Sequence, residues 1–156
     1  MTIFLDIHQK PIELPANEKV HWRVAAYPLV RSSDDKILLV TIQENSKFYI
    51  LPGGEVELQE SLIEGLQREC YEETGYKVTV NSPVPLFVGE THFYHNGFFH
   101  CINLVFSSSL TDLKQDMEVI NSVEANEIAS VDWIELSKIS EKNCHPMFYP
   151  AIKAIQ

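Results

Sequence analysis

Glu69, Glu72 and Glu73 stand at i, i+3 and i+4, so on a helix their carboxylates converge on one face. Three like charges there repel one another. They also crowd a C-terminal turn, where the helix dipole disfavours negative charge. A hard divalent cation relieves both problems, and carboxylate oxygens suit Mg²⁺ or Mn²⁺. Residues 55–73 carry seven acids and a single base, Arg68. Gly65 lies one turn before Glu69 on the same face, where glycine costs about 1 kcal/mol relative to alanine. Close approach by another backbone or by a ligand would account for that choice. Spacing alone leaves a second reading open, an acidic face solvated on the surface of an acidic protein.

The elements that must hold these groups are well signalled. Ser61 is a good N-cap, and Glu64 completes a capping box. Gly75 fits the left-handed position after the last turn. The helix is therefore expected over about Leu62 to Thr74, with Leu62, Ile63, Leu66 and Cys70 on its apolar stripe. Residues 1–19 read as an arm or short edge strand. Strands are expected at His21 to Val30, where Pro28 calls for an edge or a bulge, and at Lys36 to Ile42, an apolar run suited to burial on both faces. The polar turn Ser32–Asp35 makes 21–42 look like a hairpin. Phe48 to Leu51, Lys77 to Val80, Leu86 to Tyr94, Phe98 to Ser107 and Ile128 to Leu136 read as further strands. Asn96-Gly97 is a hairpin turn between two of them. Residues 108–126 read as loop. Short helices are expected near Ser137 and at the C-terminal end. The pattern is a mixed α/β (α+β) sheet protein with helices packed on it.

Composition bounds the rest. With 156 residues, 45% of them hydrophobic and 22% charged, the chain can bury a core as one domain over 1–156. The formal net charge of -10 disfavours a nucleic-acid partner, whose phosphates it would repel. A small phosphate ligand remains compatible if a cation intervenes. Cys70, Cys101 and Cys144 are odd in number and show no CxxC spacing, which argues for reduced thiols. No basic, apolar leader opens the sequence, and no apolar run is long enough for a membrane helix. The expectation is a cytoplasmic protein with no membrane partner. His92, His95, His100, Cys101, Cys144 and His145 match no zinc-ligand spacing.

From Gly54 to Tyr76 the glycines and charges are spaced as Gly54, five residues, Glu60, seven residues, Arg68-Glu69-Cys70, one residue, Glu72-Glu73, one residue, Gly75-Tyr76. This segment resembles the signature box of the Nudix hydrolases at every charged and glycine position. Cys70 and Tyr76 stand where that family usually has bulky aliphatics. The preceding Leu51-Pro52-Gly53 is also similar to the family, and a looser likeness covers Arg23 to Tyr27, Lys36 to Val40 and Ile128 to Leu136.

The resemblance implies an α/β/α sandwich around a central mixed sheet. It implies hydrolysis of a pyrophosphate linkage in a nucleoside diphosphate joined to another group, with Mg²⁺ or Mn²⁺. By the same match, Glu69, Glu72 and Glu73 hold the metal, the carbonyl of Gly53 joins them, and Glu60 and Arg68 orient the site through a salt bridge. The general base is either Glu69 or a glutamate from a later loop. Glu127 leads there, with Glu124, Glu118 and Glu90 as alternatives. Arg23, Arg31 and Lys47 could meet phosphates, and Arg23 stands out because it sits in an apolar strand. Tyr94, 18 residues after the box, falls roughly where diadenosine-polyphosphate hydrolases of the family carry a tyrosine. The small-molecule nucleotide itself stays unnamed. Homodimers are common in the family, and the arm could exchange between subunits. The rival reading is a Nudix-like nucleotide-binding or regulatory module without catalysis.

Overall fold

Lys36–Ile42 has almost no polar side chain to offer water, so it needs apolar cover on both faces. In the computed structural model, which describes residues 2–122 and 127–156, that cover comes from two cores. The strands are β1 (Phe4–Leu5), β2 (Pro11–Ile12), β3 (Val20–Val30), β4 (Lys36–Ile42), β5 (Asn45–Ile50), β6 (Gly54–Glu55), β7 (Val78–Val80), β8 (Phe87–Tyr94), β9 (Phe98–Leu110) and β10 (Ile128–Glu135). The helices are α1 (Leu62–Thr74), α2 (Met117–Ile120) and α3 (Tyr149–Lys153), with a 3₁₀ turn at Leu136–Lys138.

Among the described residues, one sheet runs β2-β1-β8-β9-β3-β6, with β7 also paired to β9. A second runs β10-β4-β5. The first is mixed, since β3 and β9 are parallel while β8 and β9 are antiparallel. Alternation divides each buried strand between the cores. Ala25, Tyr27 and Leu29 of β3 join Ile37 and Leu39 of β4 and Phe148, Ala151 and Ile152 of the C-terminal segment. Ala26 and Val30 face the other way, with Leu38 of β4 and Leu66 and Cys70 of α1. The sheets thus form a middle layer between α1 and α3. Burying a side chain such as Leu38 or Leu66 completely contributes roughly 1.5–3 kcal/mol, so both faces of β4 help close the sandwich.

Three expectations are corrected. Residues 21–42 do not form a hairpin: β3 and β4 belong to different sheets, and among the described residues they share no ladder beyond an isolated Arg31–Ile37 bridge, although their side chains pack together in both cores. The physical reason lies on the β6 side of β3. The Val24 carbonyl accepts there from Val56 N, so alternation turns Pro28 to the same side, where it has no N–H to carry a ladder. β6 already occupies Ala25 and Ala26. Pro28 therefore sits at a locally open edge, and β4 leaves to pair with β10 and β5. Second, β9 continues to Leu110 because β7 pairs with Ser108–Leu110, and Asp116 caps the short helix α2 in a region expected to be loop. Third, the buried stripe of α1 is Leu66, Cys70 and Thr74, whereas Leu62 is exposed.

The helix itself matches its signals. Ser61 and Glu64 make the capping box, and Gly75 takes the left-handed conformation at φ 69°. Asn96, at φ 53°, turns β8 into β9. No helix among the described residues is long and apolar enough to cross a membrane.

Candidate active site

The C-terminal half of α1 lies against the loop that follows β5, and two glycines make that contact. Gly53 adopts φ 126°, and a Cβ there would stand 2.5 Å from the Ala26 carbonyl oxygen. Its N–H donates to Glu73 Oε2 at 2.9 Å. A Cβ on Gly54 would stand 2.8 Å from Glu69 Oε2, so the bare backbone leaves room for that carboxylate. Gly65 has a related reason. A Cβ there would come within 2.7 Å of Glu60 Oε1 and 3.1 Å of Val56 Cγ2. The close approach inferred from the sequence is thus made by the loop carrying Glu60.

Arg68 organises the acids. Its Nη2 donates to Glu60 Oε1 at 2.6 Å and its Nε to Glu60 Oε2 at 3.1 Å, a two-point fork. Nη1 reaches Glu69 at 2.8 Å and Glu72 at 3.2 Å, and Nη2 also donates to the Glu55 carbonyl. Glu60 is held below the usual carboxylate range, first by the Arg68 bond and then by the Glu57 N–H. Glu69 moves upward because burial outweighs its bond to Arg68. Glu73 is pushed up to about 8, by burial first and then by the like charges of Glu69, Glu127 and Glu72, against the Gly53 N–H that pulls the other way.

These groups fit a divalent cation by their chemistry. Several hard oxygen donors crowd one another, and burial with neighbouring like charges raises one of the carboxyls, the pattern that a hard cation would relieve. Among the described residues, no three His, Cys, Asp or Glu side chains already surround a single point that would hold an ion. Glu69 and Glu72 lean to Arg68 while Glu73 accepts from the Gly53 N–H.

Gly53 and Gly54 also border a cleft of about 880 Å³, lined in addition by Arg23, Tyr27, Asn103 and Glu127. Arg23 Nε lies 3.3 Å from Glu55 Oε2 but is sealed from solvent without a hydrogen bond. Glu127, exposed and immediately before β10, lines the same cleft, and its carbonyl accepts from Gln43 N. Glu90 lines it too, with its carboxylate 3.3 Å from His100 Nε2. Glu118 sits on α2 outside the cleft lining, and Glu124 lies outside the described residues. Tyr94 is placed on the far face of β8, its ring 4.9 Å from Phe98, while Phe93 faces the cleft. Arg31 pairs with Asp35, and Lys47 lies over the Phe48 ring, so neither is in the cleft lining.

Sequence reasoning missed Asn103, a 2% exposed amide in the cleft floor, and the arm residues that wall it. A lone amide inside the apolar run Cys101 to Val105 was the available signal for the first.

Comparison with known proteins agrees with this architecture. The NUDIX domain family model matches residues 21–153. The human m7GpppN-mRNA hydrolase NUDT17 is 29% identical over 133 residues, which are 78% of this chain and 40% of that protein. The chain thus spans well under half the length of that curated relative. The MutT NUDIX hydrolase of Burkholderia pseudomallei superposes with a TM-score of 0.66 at 22% identity, covering 87% of this chain and 99% of that one. The MutT protein of Methanosarcina mazei Go1 gives a TM-score of 0.63 at 26% identity, covering 87% and 94%.

Proposed function

Since the chain belongs to the Nudix family, we propose that it is a pyrophosphohydrolase that cleaves a nucleoside diphosphate linked to another moiety. The observation that carries this reading is the glutamate cluster of α1, locked to the Gly53–Gly54 loop at the rim of a cleft large enough for a nucleotide. Glu69, Glu72 and Glu73, with the Gly53 carbonyl, would hold Mg²⁺ or Mn²⁺, which when bound neutralises phosphate oxygens and eases deprotonation of water.

The chain's own residues do the rest. Arg23, part-exposed in the cleft lining and ion-paired with Glu55, offers its guanidinium to the phosphates. The Glu60–Arg68 fork fixes the rotamer of Glu69, so its carboxylate is set before substrate arrives. The Glu69 carboxylate is engaged by Arg68, which leaves Glu127 as the better placed base. Its carboxylate, at the cleft wall, takes a proton from the water that attacks phosphorus. The product is a nucleoside phosphate and the phosphorylated remainder.

A product-resolved hydrolysis screen with Mg²⁺ tests this. It covers nucleoside triphosphates, dinucleoside polyphosphates, ADP-ribose, nucleotide sugars and a methylated cap dinucleotide. Turnover of one class, abolished by Glu73→Gln, is the expected result. Glu127→Gln should lower kcat by roughly 10²–10⁴-fold with little change in KM. Unchanged turnover in that variant would remove Glu127 from the mechanism. Tight Mg²⁺-dependent nucleotide binding with no turnover on any class would replace the reading with a binding module.

A further inference from the structure

The cleft has two ends of different chemistry. Sheet order places β6 and the arm strand β1 on opposite sides of its floor, with β3, β9 and β8 between them. Four strand spacings separate them, about 19 Å across. Gly54 and Arg23 mark one side. The other is walled by Ile3, Leu5 and Ile7 of the arm and by Phe93, which is in register with Leu5. Among the described lining residues no Lys or Arg accompanies them, while Glu44, Glu90 and Glu127 do line the cleft. A second anionic group would therefore be poorly served at that end.

The arm is fastened in place. Phe4 is 1% exposed, its ring edge-on to His92 and Phe98. Gln9 Nε2 meets His145 Nε2 at 2.8 Å, and Asn45 Nδ2 donates to the Ile7 carbonyl at 2.6 Å. The arm itself, with Phe4, Ile7 and Gln9, precedes residue 21, where the family match begins.

Between the two ends, Asn103 lies in register with Ala25 on one side and Gly89 on the other, with the Phe87 ring lying over Gly89, and all but Ala25 line the cleft. Its Nδ2 donates to Thr91 Oγ1 at 3.1 Å and lies 3.5 Å from the Gly89 carbonyl oxygen. That carbonyl can only accept, so the amide must turn its NH₂ toward it. Neither contact uses Oδ1. Arg23 Nε is the one sealed side-chain polar atom without a partner among the described residues, so Asn103 Oδ1 keeps access to the cleft. An amide held this firmly, with one acceptor uncommitted in an apolar floor, discriminates strongly for a ligand N–H.

We infer that Asn103 and the arm wall of Ile3, Leu5, Ile7 and Phe93 form a base-recognition end, which takes a flat uncharged nitrogenous ring and reads one of its N–H donors through Asn103 Oδ1. The inference rests on the pyrophosphohydrolase reading and names which part of the substrate is recognised and by what.

Calorimetric titration in Mg²⁺ tests it with non-hydrolysable probes. These are methylenediphosphonate alone and the α,β-methylene diphosphates of guanosine, adenosine, cytidine and purine riboside, whose base has no N–H donor. The expected result is that one donor-bearing nucleoside binds wild type about 10-fold or more tighter than purine riboside. Asn103→Leu should bring that ratio close to one and leave methylenediphosphonate affinity unchanged. Ile3→Ser alters a 61% exposed side chain and so leaves folding intact. It should weaken every nucleoside probe, purine riboside included, without affecting methylenediphosphonate. The inference is overturned if no base improves on methylenediphosphonate, or if the donor preference survives Asn103→Leu. Should Asn103→Leu fail to fold, equal wild-type affinities for purine riboside and all the donor-bearing probes overturn it instead. If methylenediphosphonate itself fails to bind wild type, the pyrophosphohydrolase reading falls, and this inference with it.

Discussion

Glu73→Gln should stabilise the metal-free protein, and by an amount that depends on pH. The Glu73 carboxyl titrates near 4.5 in an unfolded chain and at about 8 in the folded one, burial being the main cause. Below pH 4.5 it is protonated in both states and costs nothing. Between 4.5 and 8 the unfolded chain releases the proton and the folded chain keeps it, so stability falls as pH rises. Above 8 the folded protein carries the full cost of a crowded buried charge. At about 1.4 kcal/mol per pH unit, the ceiling on that cost is roughly 4–5 kcal/mol. Part of the side chain still reaches solvent, which reduces the expected cost to about 1–3 kcal/mol through screening. Glutamine keeps an oxygen to accept from Gly53 N and carries no charge. In chelator, wild type and Glu73→Gln should therefore be equally stable at pH 4.5 and diverge through pH 8. The melting-temperature gap by then should be roughly 2–4 °C per kcal/mol. Titrating groups away from the cluster are common to both proteins and cancel in the difference, while relief of Glu69, Glu72 and Glu127 adds to the stabilisation in the same direction. Saturating Mg²⁺ should raise wild-type stability more than that of the variant, because binding to the folded state adds stability by mass action. Curves that run parallel from pH 4.5 to 8.5, or a variant less stable at pH 8.5, would refute the picture of an electrostatically frustrated carboxyl.

Other perturbations follow from the same geometry. Gly54→Ala places a Cβ against the Glu69 carboxylate, which can give way only by shifting on Arg68, so it should weaken Mg²⁺ binding in a direct titration far more than it lowers the melting temperature. Gly53→Ala meets the Ala26 carbonyl at a backbone angle disfavoured for any side chain. It should destabilise by at least about 1–3 kcal/mol in denaturant unfolding. Ser61→Ala removes the cap of α1 and should cost about 1 kcal/mol with little change in Mg²⁺ affinity. Arg68→Met frees Glu60, Glu69 and Glu72 together. It should reduce kcat more than nucleotide affinity, with the KM-against-kcat split as the readout.

What the sequence determined by itself was local. The capping box at Ser61 and Glu64 and the left-handed Gly75 follow from helix geometry over a few residues, and they hold in the structure. Helix spacing also puts Glu69, Glu72 and Glu73 within two turns of one another, but where their carboxylates go was decided by Arg68 and by the Gly53 N–H. The apolar run of β4 likewise demanded cover on both faces, and Leu38 and Leu39 find it in opposite cores. Tertiary structure decided whatever depends on residues far apart in the chain. Pairing of β3 with β9 rather than with β4 turned an apparent hairpin into two sheets, because strand-forming side chains do not specify a partner. The same pairing brought Arg23, Cys101 and Thr91 into one row and Ala25, Asn103 and Gly89 into the next. Gly65 could be read as a point of close approach, but only the path of the loop shows that Glu60 fills it. The arm at Ile3 to Ile7 reads as an edge strand in sequence. Its place in the cleft wall depends on docking beside Phe93, a long-range contact that no local periodicity encodes.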